Sequence, residues 1–539
     1  MRVSSTNTLA LVLLTIAGAA RAAATTPITP SVRRDPQTIA SAALEQMARA
    51  NFGSLSVAEL QFVRRAPSRD LAWSSPSSDP DNPANDASKA ASWGQERTIR
   101  ADLIRWILCD AEASKYVHPS GIGIAGARIA GMIDLSYETV TLPITLLDCA
   151  IPDGLDLSFS HIGSIDLRRS WTGSINAQQA QVRGDVLLQL GHYDDVNFYR
   201  ATIDGNFDCS SGHFVGDDPV SMVEATVKGD ALFHRDFETG GLVDFRLAKV
   251  GQSLSFNHAR FIGKNPNGLN AERATVGGAL YWVAIALTPH TMLDLSDVRA
   301  GALWDDAASW PASGNLDLGG FVYAGFSGGP ADAASRLQWL HRQARSDWAQ
   351  PQPYRQLAQV LRENGAEEGA TEVEIAHENA MTEYGGIPLG QRIWRFALRA
   401  TIDYGYRPLR ALWWILFFVM VGTVLFGWGY RARLITPTEE SAYESFCATG
   451  IPPSHYPPFS SFVYSLENFL PVVDLHQETY WRPNPRHRRA GDKPMTAAES
   501  FRETLPARAL RWYLWLHILA GWTITPLLFA GLAGLLRSG

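Results

Sequence analysis

The sequence predicts a mainly β fold: a solenoid of stacked coils behind a helical N-terminal cap, then an α-helical hairpin and two C-terminal transmembrane helices. Three observations carry this. Between 121 and 330 one phrase recurs, a small residue, an aliphatic residue and a glycine in alternation. Examples are Ala127-x-Ile129-x-Gly131, Ala180-x-Val182-x-Gly184, Ala201-x-Ile203-x-Gly205 and Ala225-x-Val227-x-Gly229. From Gly184 the glycine position advances 21, 24, 23 and 26 residues, through Gly205, Gly229, Gln252 and Gly278. A period of this size with strict two-residue alternation means an array of strands. Beyond 335 the apolar spacing shifts to that of helices. Finally, 411–430 and 513–536 are uncharged apolar runs of 20 and 24 residues, each long enough for a hydrocarbon core of about 30 Å.

Taken in order, 1–23 reads as a signal peptide: Arg2, an apolar stretch, then Ala20-Arg21-Ala22 as a cleavage signature. The segment 24–120 is the cap. Its helices are expected at 35–52 and 56–65, with Asp35 and Ser56 as N-caps and Pro36 in the first helical position. Residues 66–92, rich in Ser, Pro, Asp and Asn, form an irregular linker. A helix over 95–113 puts Ile99, Leu103, Trp106 and Ile107 on one stripe. It should cover the first coil, whose unpaired strand edge needs a lid. In the β-helix, 121–330, Val227, Ala231 and Phe233 face inward, while Asp166, Arg168, Asp185, Asp208 and Asp230 line up as ladders in solvent.

The hairpin and juxtamembrane segment spans 335–405. A helix over 335–349 is stopped by Pro351 and Pro353; Tyr354, Leu357 and Leu361 mark a second, closed at Asn364-Gly365; Ala370, Val373, His377, Ala380 and Tyr384 stripe a third. Arg392, Arg395 and Arg399 with Trp394 and Phe396 form an amphipathic stretch suited to a membrane interface. Between the spans, the loop 431–512 holds a short apolar helix, 459–470, either interfacial or re-entrant. Small residues four apart, Thr423/Gly427 and Ala530/Gly534, suit close helix packing and a homo-oligomer. His517 falls near the start of the second span.

Composition narrows the chemistry. With 47 basic and 54 acidic residues the net charge is −7, which offers nucleic acid nothing to bind. The four cysteines show no CxxC or Cys/His spacing, so neither a zinc site nor a disulfide framework is implied. There is no P-loop or HExxH, and no two of the 13 histidines lie within a helical turn. No catalytic residue, metal site or cofactor is assigned. Gly121, Gly123 and Gly126 match the dinucleotide fingerprint, but that site needs a helix to start on the glycines. Period-2 alternation continues there instead, so the segment reads as the first coil. The adjacent pairs Asp194-Asp195, Asp217-Asp218 and Asp305-Asp306 read as loop acids.

The array resembles the pentapeptide-repeat and related right-handed β-helix proteins of bacteria. The stretch 353–365 with its partner 370–384 resembles the hairpin that joins such repeats to membrane segments. Phe462-Val-Tyr-Ser-Leu-Glu-Asn-Phe-Leu-Pro471 is similar to the pore-helix region of members with an ion-channel-like tail. The resemblance covers about 95–536. It implies a right-handed solenoid, a multi-pass bacterial inner-membrane protein, and a pore loop containing Asn468, Pro471 and Asp474. Where a potassium filter would carry Thr-x-Gly-Tyr-Gly, this chain has Pro471-Val-Val-Asp474-Leu475, so no ring of filter carbonyls is implied. Some similar proteins are labelled membrane-associated oxidoreductases, a chemistry these residues do not supply.

The expected function is therefore non-enzymatic: a membrane-anchored scaffold presenting its repeat surface to a protein or glycan partner. An ion-channel-like or gating module is the first alternative, and an oxidoreductase or glycan-active enzyme the second. The signal peptide places the β-helix in the periplasm, and ten Lys/Arg in 431–512 agree with a cytoplasmic loop. Five arginines from Arg392 to Arg410 argue the other way.

Overall fold

The computed structural model describes residues 36–263, 267–484 and 497–534. The signal segment 1–23 and the N-cap expected at Asp35 lie outside them. Four short strands make one coil. His161–Ile162, Ile165–Asp166, Trp171–Thr172 and Ile175–Asn176 are four such strands, and the next coil opens at Gln181–Val182. Each pairs in parallel with its counterpart one coil on: His161 with Gln181, Ile165 with Val186, Trp171 with His192, Ile175 with Val196. Four stacked faces result, numbered here one to four in chain order. The fourth holds nine strands, one per turn of a solenoid of about nine turns.

The observed register reproduces the glycine spacing. On the first face Gln181 pairs with Thr202, Thr202 with Thr226, Thr226 with Lys249 and Lys249 with Thr275, advances of 21, 24, 23 and 26 residues. The Ala127 phrase, however, lies on the third face, where Ile129 pairs with Ile99. At Ala127 and Ile129 the third face carries the same local pattern as the first, an aliphatic residue inward beside a small one, so the phrase alone cannot say which face it occupies.

Corners are made in two ways. After the first face the corners of successive coils hydrogen-bond directly: Gly184 N donates to Gly163 O, Gly205 N to Gly184 O, Gly229 N to Gly205 O and Gln252 N to Gly229 O. A Cβ at Gly205 would stand 2.7 Å from the Gly184 carbonyl carbon, so this column excludes most side chains. After the second and fourth faces the chain turns through left-handed residues that are mostly not glycine, such as Tyr137, Phe159, Gln179 and Arg200 on one edge. Each costs roughly 1–2 kcal/mol in isolation. Asx turns offset this. Asp134, Asp156, Asn176 and Asn197, one below another on the fourth face, each accept the backbone N–H two residues on.

At the N-terminal end, α1 (Pro36–Phe52) and α2 (Val57–Arg65) precede α3 (Ala101–Cys109). Ser56 closes a capping box with Glu59. The expected helix over 95–113 is shorter because Thr98–Arg100 is a strand paired with the third face, Ile99 opposite Ile129. Leu103, Ile104 and Ile107 then bury in the same core as Ile129 and Ile133. The segment 66–92, expected to be irregular, supplies the strand Ala72–Trp73, paired with Ile124 and Ala125, and two 3₁₀ turns.

Beyond the solenoid come α4 (Ala333–Leu340), α5 (Pro351–Glu363), α6 (Glu367–Tyr384) and α7 (Leu389–Ile402). The first ends short of 349. Pro351 and Pro353 open α5, where their missing N–H groups cost nothing. Next come α8 (Arg410–Arg431), α9 (Glu440–Thr449), α10 (Ser461–Phe469), α11 (Gln477–Tyr480) and α12 (Ala497–Leu532). Arg410–Arg431 and Leu505–Leu532 are long and apolar enough to cross a membrane.

Candidate functional site

Many Asp and Asn side chains of the solenoid are taken up by its own backbone. Asp166 and Asp208 accept the N–H groups of Arg168 and Ser210, Asp185 that of Asn206, and Asp230 that of Ser253. The ladder expected of Asp166, Arg168, Asp185, Asp208 and Asp230 in solvent does not form as such: Leu187 stands between Asp166 and Asp208 in their column, and Asp208 is buried. Of the loop acids, Asp195 accepts Asp218 N, and Asp306 accepts Ala284 N and Ser309 N. Asp305 is buried against Arg336, which donates to both its oxygens at 2.8 and 2.7 Å, and Trp310 Nε1 donates to it as well. That latch ties the last coil to α4. Both partners are almost fully buried.

The third face differs. Trp171, His192, His213, Glu238 and Arg260 stack outward at successive coils. The imidazoles of His192 and His213 lie 4.7 Å apart, nearly parallel. His213 Nδ1 is 3.4 Å from Glu238, which pairs with Arg260 at 2.8 Å. In this column side chains pair with one another and leave Trp171 partly exposed.

The segment 80–89 overhangs the same face. Arg97 pins it by donating to Ala84 O and to Gly126 O, with its guanidinium 3.6 Å from the Trp93 ring centre. Buried Asn85 ties the overhang to Ser77 and Asp79 carbonyls. Between overhang and face lies a cavity of about 600 Å³ lined by Asp81, Asp86, Asp148, Arg169, Trp171 and His192. Arg169 bridges Asp148 at 2.9 Å and Asp81 at 3.2 Å. Burial pushes the Asp148 carboxyl above its ordinary range, against the pull of Arg169. Burial, aided by His213, pushes the His192 imidazole below its ordinary value. The arrangement offers an aromatic wall, a neutral-tending imidazole and a shared-arginine acid pair, which suits recognition of a polar ligand. Cys149 nearby is fully buried, with its thiol pushed up to about 12 by burial, so it supplies no nucleophile. Among the described residues no cluster of three or more His, Cys, Asp or Glu could hold a metal ion.

The glycine triplet takes no part. Ile122–Ala125 is a strand between Ala72–Trp73 and Ile144–Leu147, and strands follow it, so no helix N-terminus forms to meet a pyrophosphate. The glycines answer to packing: a Cβ on Gly123 would meet the Leu71 side chain, and one on Gly126 the Ser75 side chain at 2.8 Å.

A second constellation lies among the C-terminal helices. α10 is wedged between α8 and α12. Tyr464 meets Phe426, Ser465 donates to Val419 O, and Phe469 stacks on Phe418. A side chain at Gly521 would strike the Phe469 carbonyl. After Leu470 the chain returns, and Gln477 N donates to Glu467 at 2.8 Å. Gly427, read as an oligomer contact, faces Ser461 of the same chain. Of the expected pore-loop residues, Asn468 is buried and donates to Tyr464 O, Pro471 sits in the turn, and Asp474 is exposed beside His476. His517, expected near a span edge, is fully buried well inside α12, 3.0 Å from Ser465 O. The apolar helix that could span starts at Leu505, eight residues before the expected 513, which puts His517 twelve residues inside it.

Sequence reasoning missed the third-face column and the Asp305–Arg336 latch. The first had a signal: Trp171, His192 and His213 are 21 apart. The second, 31 residues apart without repeat, had none.

Compared with known proteins, the chain matches no family model, no curated protein and no solved structure.

Proposed function

We propose that this chain is a membrane-anchored β-solenoid binding protein whose ligand surface is the third face beneath the 80–89 overhang. One observation carries the reading. On that face aromatic and ionisable side chains stack on one another, and Trp171 and His192 border a polar cavity, whereas carboxylates such as Asp134 and Asp185 are spent on backbone N–H groups. The chemistry favours a glycan: a ring to stack on Trp171, hydroxyls for Asp81 and His192. The solenoid belongs with right-handed pentapeptide-repeat proteins of bacteria, α1–α3 cover its first coil, and α8 and α12 hold it in the inner membrane. Ten basic residues in the inter-helix loop support a periplasmic solenoid.

Titrating the purified full chain with soluble cell-wall glycan fragments tests this. Saturable binding is expected, weakened at least about tenfold in Trp171→Ala, the loss of one buried aromatic contact. Binding unchanged in Trp171→Ala and His192→Ala would remove the site. Reporter fusions at Gly329 and Gly450 read the topology.

A second reading has its own observation. α10 enters between the two apolar helices and the chain returns past Pro471, the course of a pore loop. Irregular backbone at membrane depth must be covered by protein or water, and Val472, Asp474 and His476 are exposed on one chain. A self-assembled ion-conducting module would cover them. Liposomes containing the chain and passing no ions would end that reading.

A further inference from the structure

Two cavities meet at Ala400 of α7. One, about 430 Å³, lies between α6, α7 and the start of α8, and it gathers Arg399, Arg407 and Arg410 with Glu372 and Asp403. The other, about 350 Å³, is an apolar groove between α7, α8 and α12, lined by Ala397, Ala400, Trp414, Phe418, Leu516 and Ile524. Trp414 Nε1 donates to Ala400 O at 2.9 Å, which fixes the rim between them.

The charges do not balance. Arg410 pairs with Asp403, and Arg407 lies 4.0 Å from Glu372, at the limit of an ion pair. Among the described residues Arg399 has no ion-pair partner. Three guanidinium groups thus face two carboxylates, leaving one positive charge beside an apolar channel. Around them Leu389, Ile393, Trp394 and Phe396 of α7 are strongly exposed. An amphipathic helix with this edge belongs at the headgroup level, where arginines meet phosphates and aromatic rings meet acyl chains.

We infer that this junction is a binding site for an anionic phospholipid. Its phosphodiester is held by Arg399 and Arg407, and one acyl chain lies in the groove along Trp414 and Phe418. A zwitterionic lipid brings its own cation and gains less from the unpaired arginine. A free phosphate leaves the groove unfilled. The inference rests on the membrane reading of α8 and α12.

The full chain, extracted in detergent and stripped of lipid, is offered equal phosphatidylglycerol and phosphatidylcholine of matched chains and examined by native mass spectrometry. Phosphatidylglycerol should be retained about fivefold over phosphatidylcholine, the scale of one arginine at a membrane surface. Arg399→Gln should bring the two to parity with an unchanged melting temperature, while Arg392→Gln, on the same helix but outside the cavity, keeps the preference. Equal retention by the wild type, or equal loss in both variants, overturns the site. So does competition by glycerol phosphate as effective as the lipid. A carbonate wash of cell membranes separates the two ideas: release of the chain sinks the membrane reading, whereas retention without lipid preference sinks this site alone.

Discussion

The solenoid and the C-terminal helical module solve packing in opposite ways. In the solenoid each contact is made many times over. The fourth-face column Ile175, Val196, Val220, Val243 and Leu269 repeats one inward position coil after coil, and Phe233 packs against Phe207, Phe237, Phe245 and Phe256. In the helical module single residues decide. Gly521 admits the Phe469 carbonyl, and Gly422 admits Ser465 and His517. Redundancy makes a region legible from sequence, because period and alternation are visible. Uniqueness hides it, because one glycine in an apolar helix has no pattern.

The largest effect should appear where the two regions join. Arg336→Ala strands the buried Asp305 carboxylate, and removing one partner of such a pair costs about 3–5 kcal/mol. Urea unfolding of the detergent-solubilised chain should show that loss, with recovery in the double variant Arg336→Met, Asp305→Leu. An unfolding curve like the wild type's would mean the latch is dispensable. Next comes the uniqueness of the helical module. Gly521→Ala forces α10 away from α12 and should cost about 1–3 kcal/mol, the range for overpacking. Proteolysis within 440–480 should accelerate while the solenoid stays protected. If both regions are cut faster together, they are one cooperative unit and the comparison fails.

The smallest effect is a pH dependence of the solenoid. Burial depresses His192, as does nearby His213, against the pull of Asp86 and Glu238; burial also depresses His234, with Asp208 opposing and Arg235 assisting. With the folded value below the unfolded one of 6.5, the unfolded chain binds more protons as pH falls. The stability held above 6.5 should therefore decline as pH drops through the lowered folded values. His192→Gln should flatten part of that decline in melting curves taken from pH about 7 to 5, the histidine range. An identical slope in the variant would assign the effect elsewhere.

Ser56, Gln252 and Pro351 show how far local rules reach. Ser56 reads as an N-cap from its place at the head of the helical stretch 56–65, Gln252 from its step in the glycine column, and both stand where the spacing puts them. Pro351 shows the limit: the residue that cannot continue one helix is also well suited to begin the next, and the structure uses it so.

By itself the sequence determined the solenoid, its coil length, its inward residues and the two apolar helices, because these follow from periodicity and length within a local window. Only the tertiary structure decided which polar groups remain free for function. Asp166 and Asp208 look as available in the sequence as His192, yet turns consume them. His517 looks interfacial until Ser465, 52 residues away, comes to lie against it. Such assignments depend on which distant backbone groups need a partner, and that is settled when the coils and helices pack.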